Sequence, residues 1–176
     1  MAALITTLGL QNADDMGVIL PHEHIFVDLR TPDQPGHAEA EMQDVVDLMA
    51  PELTRARAVG ITAIVECSPV GVGRRADILA AVSRAAQFPL LAPTGVYREP
   101  WIPEWVHAAD ESELRDWMAS ELQDEIEGSG VQAAWIKLSA GDDGLTPTEA
   151  KVLRAAAQAA ATVGAACGSH TVRGSV

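Results

Sequence analysis

The chain contains little cysteine and few aromatic side chains. Its 176 residues include only two cysteines, Cys67 and Cys167, which lie far apart in apolar stretches, and aromatic residues make up 4% of the total. Small secreted domains that rely on disulfides need a dense set of cysteines, so that class of protein is excluded. We therefore expect two free, buried thiols.

Basic residues are also scarce. The chain has 12 lysines and arginines against 25 aspartates and glutamates, which gives a net charge of −13. Nucleic acids and anionic membranes bind through positive surface, so neither is an expected partner. The sequence has no apolar run of membrane-spanning length, and its N-terminal stretch lacks the pattern of a signal peptide. These features predict a cytoplasmic protein.

The chain does have a regular alternation of short apolar segments with longer amphipathic ones. The predicted strands are 17–29, 61–68, 89–97, 131–140 and 165–171, and the predicted helices are 38–60, 75–87, 111–128 and 146–164. Residues 1–16 are expected to form a lead-in hairpin. Such alternation is typical of an α/β fold with parallel strands and helices packed on the sheet, and the length favours one domain.

The last two helices carry clear start and stop signals. Asp110 and Glu113 have the spacing of a capping box, and Gly128 is expected to end that helix. In the final helix Thr146 and Glu149 repeat the capping box, with a proline at the first position and Gly164 as the stop.

The stretch VILPHEHIFVD, residues 18–28, holds two histidines separated by one residue, His22 and His24. Alternate residues of a strand point to the same side, so the two imidazoles would share a face and could bind one metal ion. Imidazole is a common ligand of zinc and its neighbours. Two partly exposed histidines without a metal would give the same pattern, so the pair alone leaves metal binding open.

Lys137 lies among apolar residues in AAWIKLSA, and His170 ends the last predicted strand in GSHT. A charged lysine in a covered strand is costly unless it is paired. Lys137 therefore either reaches water at the strand end or is held neutral and can react with carbon dioxide to give a carbamate. Because sites in parallel α/β folds form at the carboxyl ends of strands, we expect Lys137 and His170 near one rim.

The order of these motifs resembles the phosphotriesterase family of the amidohydrolase superfamily. The matching stretches are TTLG, DDMGVILPHEHIFVD, TRARAVGITAIVECS, APTGVY, WIKLSA, GLTPTEAKVLRAAA and GSHT, which together cover nearly all of the chain. The resemblance implies a (β/α)8 TIM-barrel-type fold, of which this chain would supply five strands. We therefore expect one partial barrel domain over 1–176, truncated after the fifth strand.

The resemblance also implies a role for each candidate residue. His22 and His24 would bind the more buried of two divalent metal ions, His170 would bind the more exposed one, and a carboxylated Lys137 would bridge them. Zinc is the expected metal, with cobalt, manganese or iron as alternatives. A hydroxide between the metals would attack a phosphotriester, a lactone or another ester, and Tyr97 would lie near the pocket.

The five-strand length leaves two other hypotheses open. The chain could be a non-catalytic barrel fragment that binds metal weakly. It could also be completed by a partner chain or form a homodimer, because an open sheet exposes unpaired strand edges.

Overall fold

The structure, a computed structural model, describes residues 2–141 and 143–171, so the predicted domain bounds at 1 and 176 lie outside the described residues. It begins with an antiparallel hairpin of β1 (Ala3–Thr6) and β2 (Gly9–Asn12), followed by a 3₁₀ turn at Ala13–Asp15. The remaining elements, in chain order, are β3 (Val18–Glu23), α1 (Met42–Ala58), β4 (Ile61–Glu66), α2 (Ala76–Ala86), β5 (Leu90–Leu91), β6 (Pro93–Thr94), α3 (Glu104–Ala108), α4 (Glu111–Gln123), β7 (Trp135–Ala140), α5 (Pro147–Val163) and β8 (Cys167–Thr171).

Two parallel sheets form the centre of the fold. One has the order β3-β4-β5 and the other has the order β6-β7-β8. Only Ala92 separates β5 from β6, and its carbonyl accepts a hydrogen bond from the backbone of Ala134 at 2.8 Å. A break of one residue therefore separates the last strand of the first sheet from the first strand of the second. The predicted parallel α/β architecture is confirmed.

Several predicted segment limits differ from those in the structure. The first strand ends at Glu23 rather than at residue 29, after a register shift against β4 between Leu20 and Glu23. The third is split into the two-residue strands β5 and β6. Helix α4 ends at Gln123, before the predicted Gly128, because Asp124 leaves helical geometry with φ −116° and ψ −112°.

The capping signals predicted for α4 and α5 are present. Asp110 and Thr146 each accept a hydrogen bond from the backbone of the glutamate three residues later, and that glutamate bonds back to the cap residue. Gly164 ends α5 in the left-handed region, with φ 76°. Pro51 lies inside α1 and does not split it.

The core lies between the strands and the helices α2, α4 and α5. Its largest fully buried apolar side chains include Ile78, Phe88, Leu114, Met118 and Ile136. None of the helices in the described part of the chain is both long enough and apolar enough to cross a membrane.

A buried ion pair joins the loop after β4 to helix α4. The Arg74 guanidinium donates to both carboxylate oxygens of Glu121, at 2.5 and 2.8 Å. Glu121 also accepts hydrogen bonds from Thr94 on β6 and from the indole of Trp117. This network fixes β6, and with it the loop that carries Tyr97, relative to the core.

Candidate metal centre

The candidate residues come from strands whose carboxyl ends share one rim. His22 is the fifth residue of β3, and His24 follows directly after the strand's end. Lys137 lies in the middle of β7, and His170 is the fourth residue of the neighbouring β8, opposite Ser139. Because all three strands are parallel, their side chains converge on one side of the sheet rim.

One cavity of about 200 Å³ collects all five candidate residues. The ring centroids of His22 and His24 are 5.5 Å apart, and those of His22 and His170 are 6.3 Å apart. The Tyr97 ring lies 5.8 Å from that of His170. The lining residues are His22, His24, Val27, Leu29, Cys67, Val72, Tyr97, Lys137 and His170.

Lys137 is the most deeply placed of the candidates. It is only 4% exposed, and its Nζ lies 5.7 Å from the centre of the Trp135 ring, within the range of a cation–π contact. At Gly95, just after β6, a Cβ would collide with the carbonyl oxygen of Lys137. Gly95 has φ 106°, which favours glycine, and so it lets the two strand ends approach each other.

The surroundings keep the imidazoles neutral. Burial lowers the pKa of His22 and of His170, and the nearby charge of Lys137 adds to both effects. Burial is also the main cause of the lowered pKa of His24, and electrostatic repulsion from His22 is the second cause. Neutral imidazole is the form that binds a metal ion, so this environment suits cation binding.

Sequence reasoning passed over one neighbour of the site, Ser68. The Ser68 hydroxyl lies 2.8 Å from Nδ1 of His24 and 2.6 Å from Glu66. Glu66 is 1% exposed, and burial raises the pKa of its carboxyl group to about 7. The sequence signal for Ser68 was the stretch ECS, in which a glutamate and a serine lie two residues apart at the carboxyl end of a strand.

Two further residues have other roles than catalysis. Asp28, four residues after His24, accepts hydrogen bonds from the Arg30 guanidinium and the Ala38 backbone rather than from either histidine. Cys67 lines the cavity, but burial raises the pKa of its thiol to about 11. At neutral pH this thiol is protonated and is a weak nucleophile.

The donors present fit a divalent cation in their chemistry, since imidazole nitrogens line one cavity next to a buried lysine. Among residues 2–141 and 143–171, however, no three His, Cys, Asp or Glu side chains are grouped closely enough to hold a metal ion. A cation at this cavity would therefore need donors in addition to these side chains. A carboxylated Lys137 would supply two oxygens at that position.

Comparisons with known proteins place the chain in one family. The sequence profile of the phosphotriesterase family matches residues 2–176. A phosphotriesterase homology protein of Mycobacterium tuberculosis is 31% identical over 184 residues, which cover 99% of this chain and 56% of that protein. An aryldialkylphosphatase of Saccharolobus solfataricus is 29% identical over 147 residues, with coverages of 81% and 46%.

Solved structures show the same relationship. The organophosphorus hydrolase from Deinococcus radiodurans superposes with a TM-score of 0.86 at 29% identity, covering 96% of this chain and 53% of that one. A mutant PTE-like lactonase from the same bacterium gives a TM-score of 0.86 at 29% identity, with coverages of 96% and 54%. The chain thus spans about half the length of the relatives it matches, and its fold is part of a TIM-barrel-type architecture. On the family match and the shared fold, this chain belongs to the phosphotriesterase family.

Proposed function

We propose that this chain carries the metal-binding rim of a metal-dependent hydrolase that acts on phosphotriester, lactone or other ester bonds. The observation that carries the proposal is the convergence of His22, His24, Lys137 and His170 on one cavity. These side chains come from three segments that are far apart in the sequence. The family match supports the same class of chemistry.

Each residue has a distinct part in this proposal. His22 and His24 would hold one divalent cation, His170 would contact a second, and a carboxylated Lys137 would supply oxygen ligands to both. Zinc is the expected metal, with cobalt, manganese or iron as alternatives. Such cations, when bound, acidify water and polarise a P=O or C=O bond.

The rest of the cavity suits an uncharged ester. Val27, Leu29 and Val72 give it an apolar wall beside the imidazoles. Tyr97 stands next to His170, where its ring can contact a substrate held at the rim. These side chains would contact the apolar part of a substrate and orient it at the rim.

Metal binding by the dialysed 176-residue chain tests the proposal. We expect zinc or cobalt to bind in the presence of bicarbonate, and His22→Ala to weaken binding at least tenfold. His107→Ala is the matched control, because His107 contacts Glu99 and Thr148 outside the cavity and should leave the affinity unchanged. A folded sample that binds neither metal would contradict the proposal.

The bridging role of Lys137 has its own measurement. With ¹³C-labelled bicarbonate, carbon NMR should show a carbamate signal that is lost in Lys137→Gln. Absence of the carbamate signal in the metal-loaded protein would contradict the carboxylation of Lys137.

Turnover is measured with paraoxon, aryl esters and lactones, with zinc or cobalt and bicarbonate present. The expected result is hydrolysis of at least one substrate class, abolished by His22→Ala. Gel filtration at several concentrations should accompany the assay, because the exposed strand edges favour a homodimer.

A further inference from the structure

We propose that Ser68 is a positioning residue for His24, held in place by Glu66. In this arrangement the Ser68 hydroxyl accepts the Nδ1–H of His24 and leaves Nε2 with a free lone pair. The assignment of a cation to that lone pair rests on the proposed function, whereas the hydrogen-bond arrangement is independent of it.

The position of Ser68 follows from strand β4. This strand ends at Glu66, beside the end of β3, with Glu23 and Glu66 in register. The Cys67 backbone N–H donates to the Glu23 carbonyl at 3.0 Å, which extends the contact by one residue. Ser68 is thereby brought against the segment that follows β3, where His24 lies.

The Ser68 hydroxyl has three polar neighbours but only one hydrogen to donate. Its Oγ lies 2.6 Å from Glu66 Oε1, 2.9 Å from the Phe26 carbonyl oxygen and 2.8 Å from His24 Nδ1. A backbone carbonyl can only accept a hydrogen bond, so the contact with Phe26 uses the serine hydrogen. The hydrogen bond between Ser68 and His24 therefore requires that Nδ1 be the donor.

Glu66 reinforces this choice. Its second oxygen accepts the Ser68 backbone N–H at 2.8 Å, so the carboxylate is fixed by two bonds to the same residue. The carboxylate also lies 3.8 Å from His24 Nδ1. A proton on the nitrogen that faces a carboxylate is favoured electrostatically, and the hydrogen bond made by one ring nitrogen decides the state of the other.

A merely structural serine would give a different result. If Ser68 only tied the Phe26 carbonyl to β4, its removal would lower stability without affecting the imidazole. A positioning serine changes both the tautomer of His24 and the affinity for a cation. The tautomer is therefore the readout that separates the two roles.

The test is proton–nitrogen NMR of the ¹⁵N-labelled, metal-free chain, followed by zinc titration. In the wild type, His24 should carry its proton on Nδ1. Ser68→Ala should shift His24 toward the Nε2–H tautomer and weaken zinc binding by roughly 10–100-fold, the usual effect of removing such a partner. Ser68→Thr keeps a hydroxyl and should restore both, and Glu66→Gln should shift the tautomer in the same direction by a smaller amount.

Ser83→Ala is the matched control. Ser83 is another fully buried serine, and its hydroxyl donates to the Phe88 carbonyl away from the cavity. This variant should lose stability but keep the wild-type tautomer and affinity. An Nε2–H tautomer in the wild type, or a Ser68→Ala variant with unchanged tautomer and zinc affinity, would overturn the inference. A wild type that binds no zinc but carries the proton on Nδ1 would reject the proposed function while supporting the arrangement of Ser68 and His24.

Discussion

The central and outer strands of the two parallel sheets differ in burial. Four of the six residues of β7 are buried, and so are three of the six in β4. The outer strands β3 and β8, as described, contain no buried residue. The candidate site spans this difference, since Lys137 lies on β7 while the three histidines come from the outer strands.

The buried central strands therefore stabilise the fold, whereas the outer strands supply most of the candidate ligands. Substitutions near β4, β6 and β7 should mainly cost folding free energy, because side chains there are packed on several sides. Substitutions on β3 or β8 should mainly affect binding. Three pairs of variants and one single variant test this division.

The largest effect is expected for Arg74→Met, which breaks the buried ion pair with Glu121. The remaining carboxylate would be buried without its partner, at a cost of about 3–5 kcal/mol in unfolding free energy. Arg55→Met on α1 removes an exposed pair with Glu52 and should cost about 0–1 kcal/mol. Urea unfolding of both variants measures the difference. Equal losses of unfolding free energy would contradict the distinction between the two regions.

Gly95→Ala should come next. The new Cβ meets the Lys137 carbonyl and also forces a side chain into a positive-φ conformation, for a total of roughly 2–5 kcal/mol. Gly60→Ala is the matched control, because Gly60 also has positive φ, at 93°, but no atom lies near its Cβ position. Its cost should be about 1–2 kcal/mol, from backbone strain alone. Thermal unfolding that gave the same loss for both would show that the contact with Lys137 is not tight.

Asp28→Asn tests the segment between β3 and α1. The Arg30 guanidinium holds the pKa of the Asp28 carboxyl below its ordinary value of 3.8, so the carboxylate stabilises the fold above that pH and this contribution is lost as the pH falls below it. The variant should lose about 1–2 kcal/mol at neutral pH and show a smaller loss of stability on acidification. Arg30→Met should reproduce the weaker acid dependence. Parallel stability–pH curves for wild type and Asp28→Asn would contradict this.

The smallest effect on folding is expected for His22→Ala. This residue lies on the outer strand β3 and is exposed, so the unfolding free energy should change by less than about 0.5 kcal/mol. Chemical denaturation without metal measures it. A loss above about 2 kcal/mol would place His22 among the residues that hold the fold.

Local patterns predicted much of the fold. The ends of α5 follow from Thr146, Glu149 and Gly164, because capping depends on residues within one turn. The alternation of strands and helices likewise identified the parallel sheet. Strand limits were less accurate, because pairing with β4 decides where β3 stops, and the paired residues are more than forty positions apart in the chain.

The candidate site divides in the same way. His22, His24, Lys137 and His170 could be proposed from spacing and from the family resemblance, and the structure brings them to one cavity. Ser68 was not proposed, since the ECS stretch alone does not show that its serine contacts His24. Helix α4 was predicted too long, because the backbone leaves helical geometry at Asp124, before the glycine that was expected to end it.

The sequence by itself determined the parallel α/β class, the helix caps and the types of side chain available for binding, because these depend on composition and on short-range spacing. Tertiary structure alone decided that a serine and a carboxylate stand behind His24, and that Arg74 and Glu121 meet in the core. Those contacts join residues separated by more than forty positions, and only packing of the strands and helices brings them within hydrogen-bond distance.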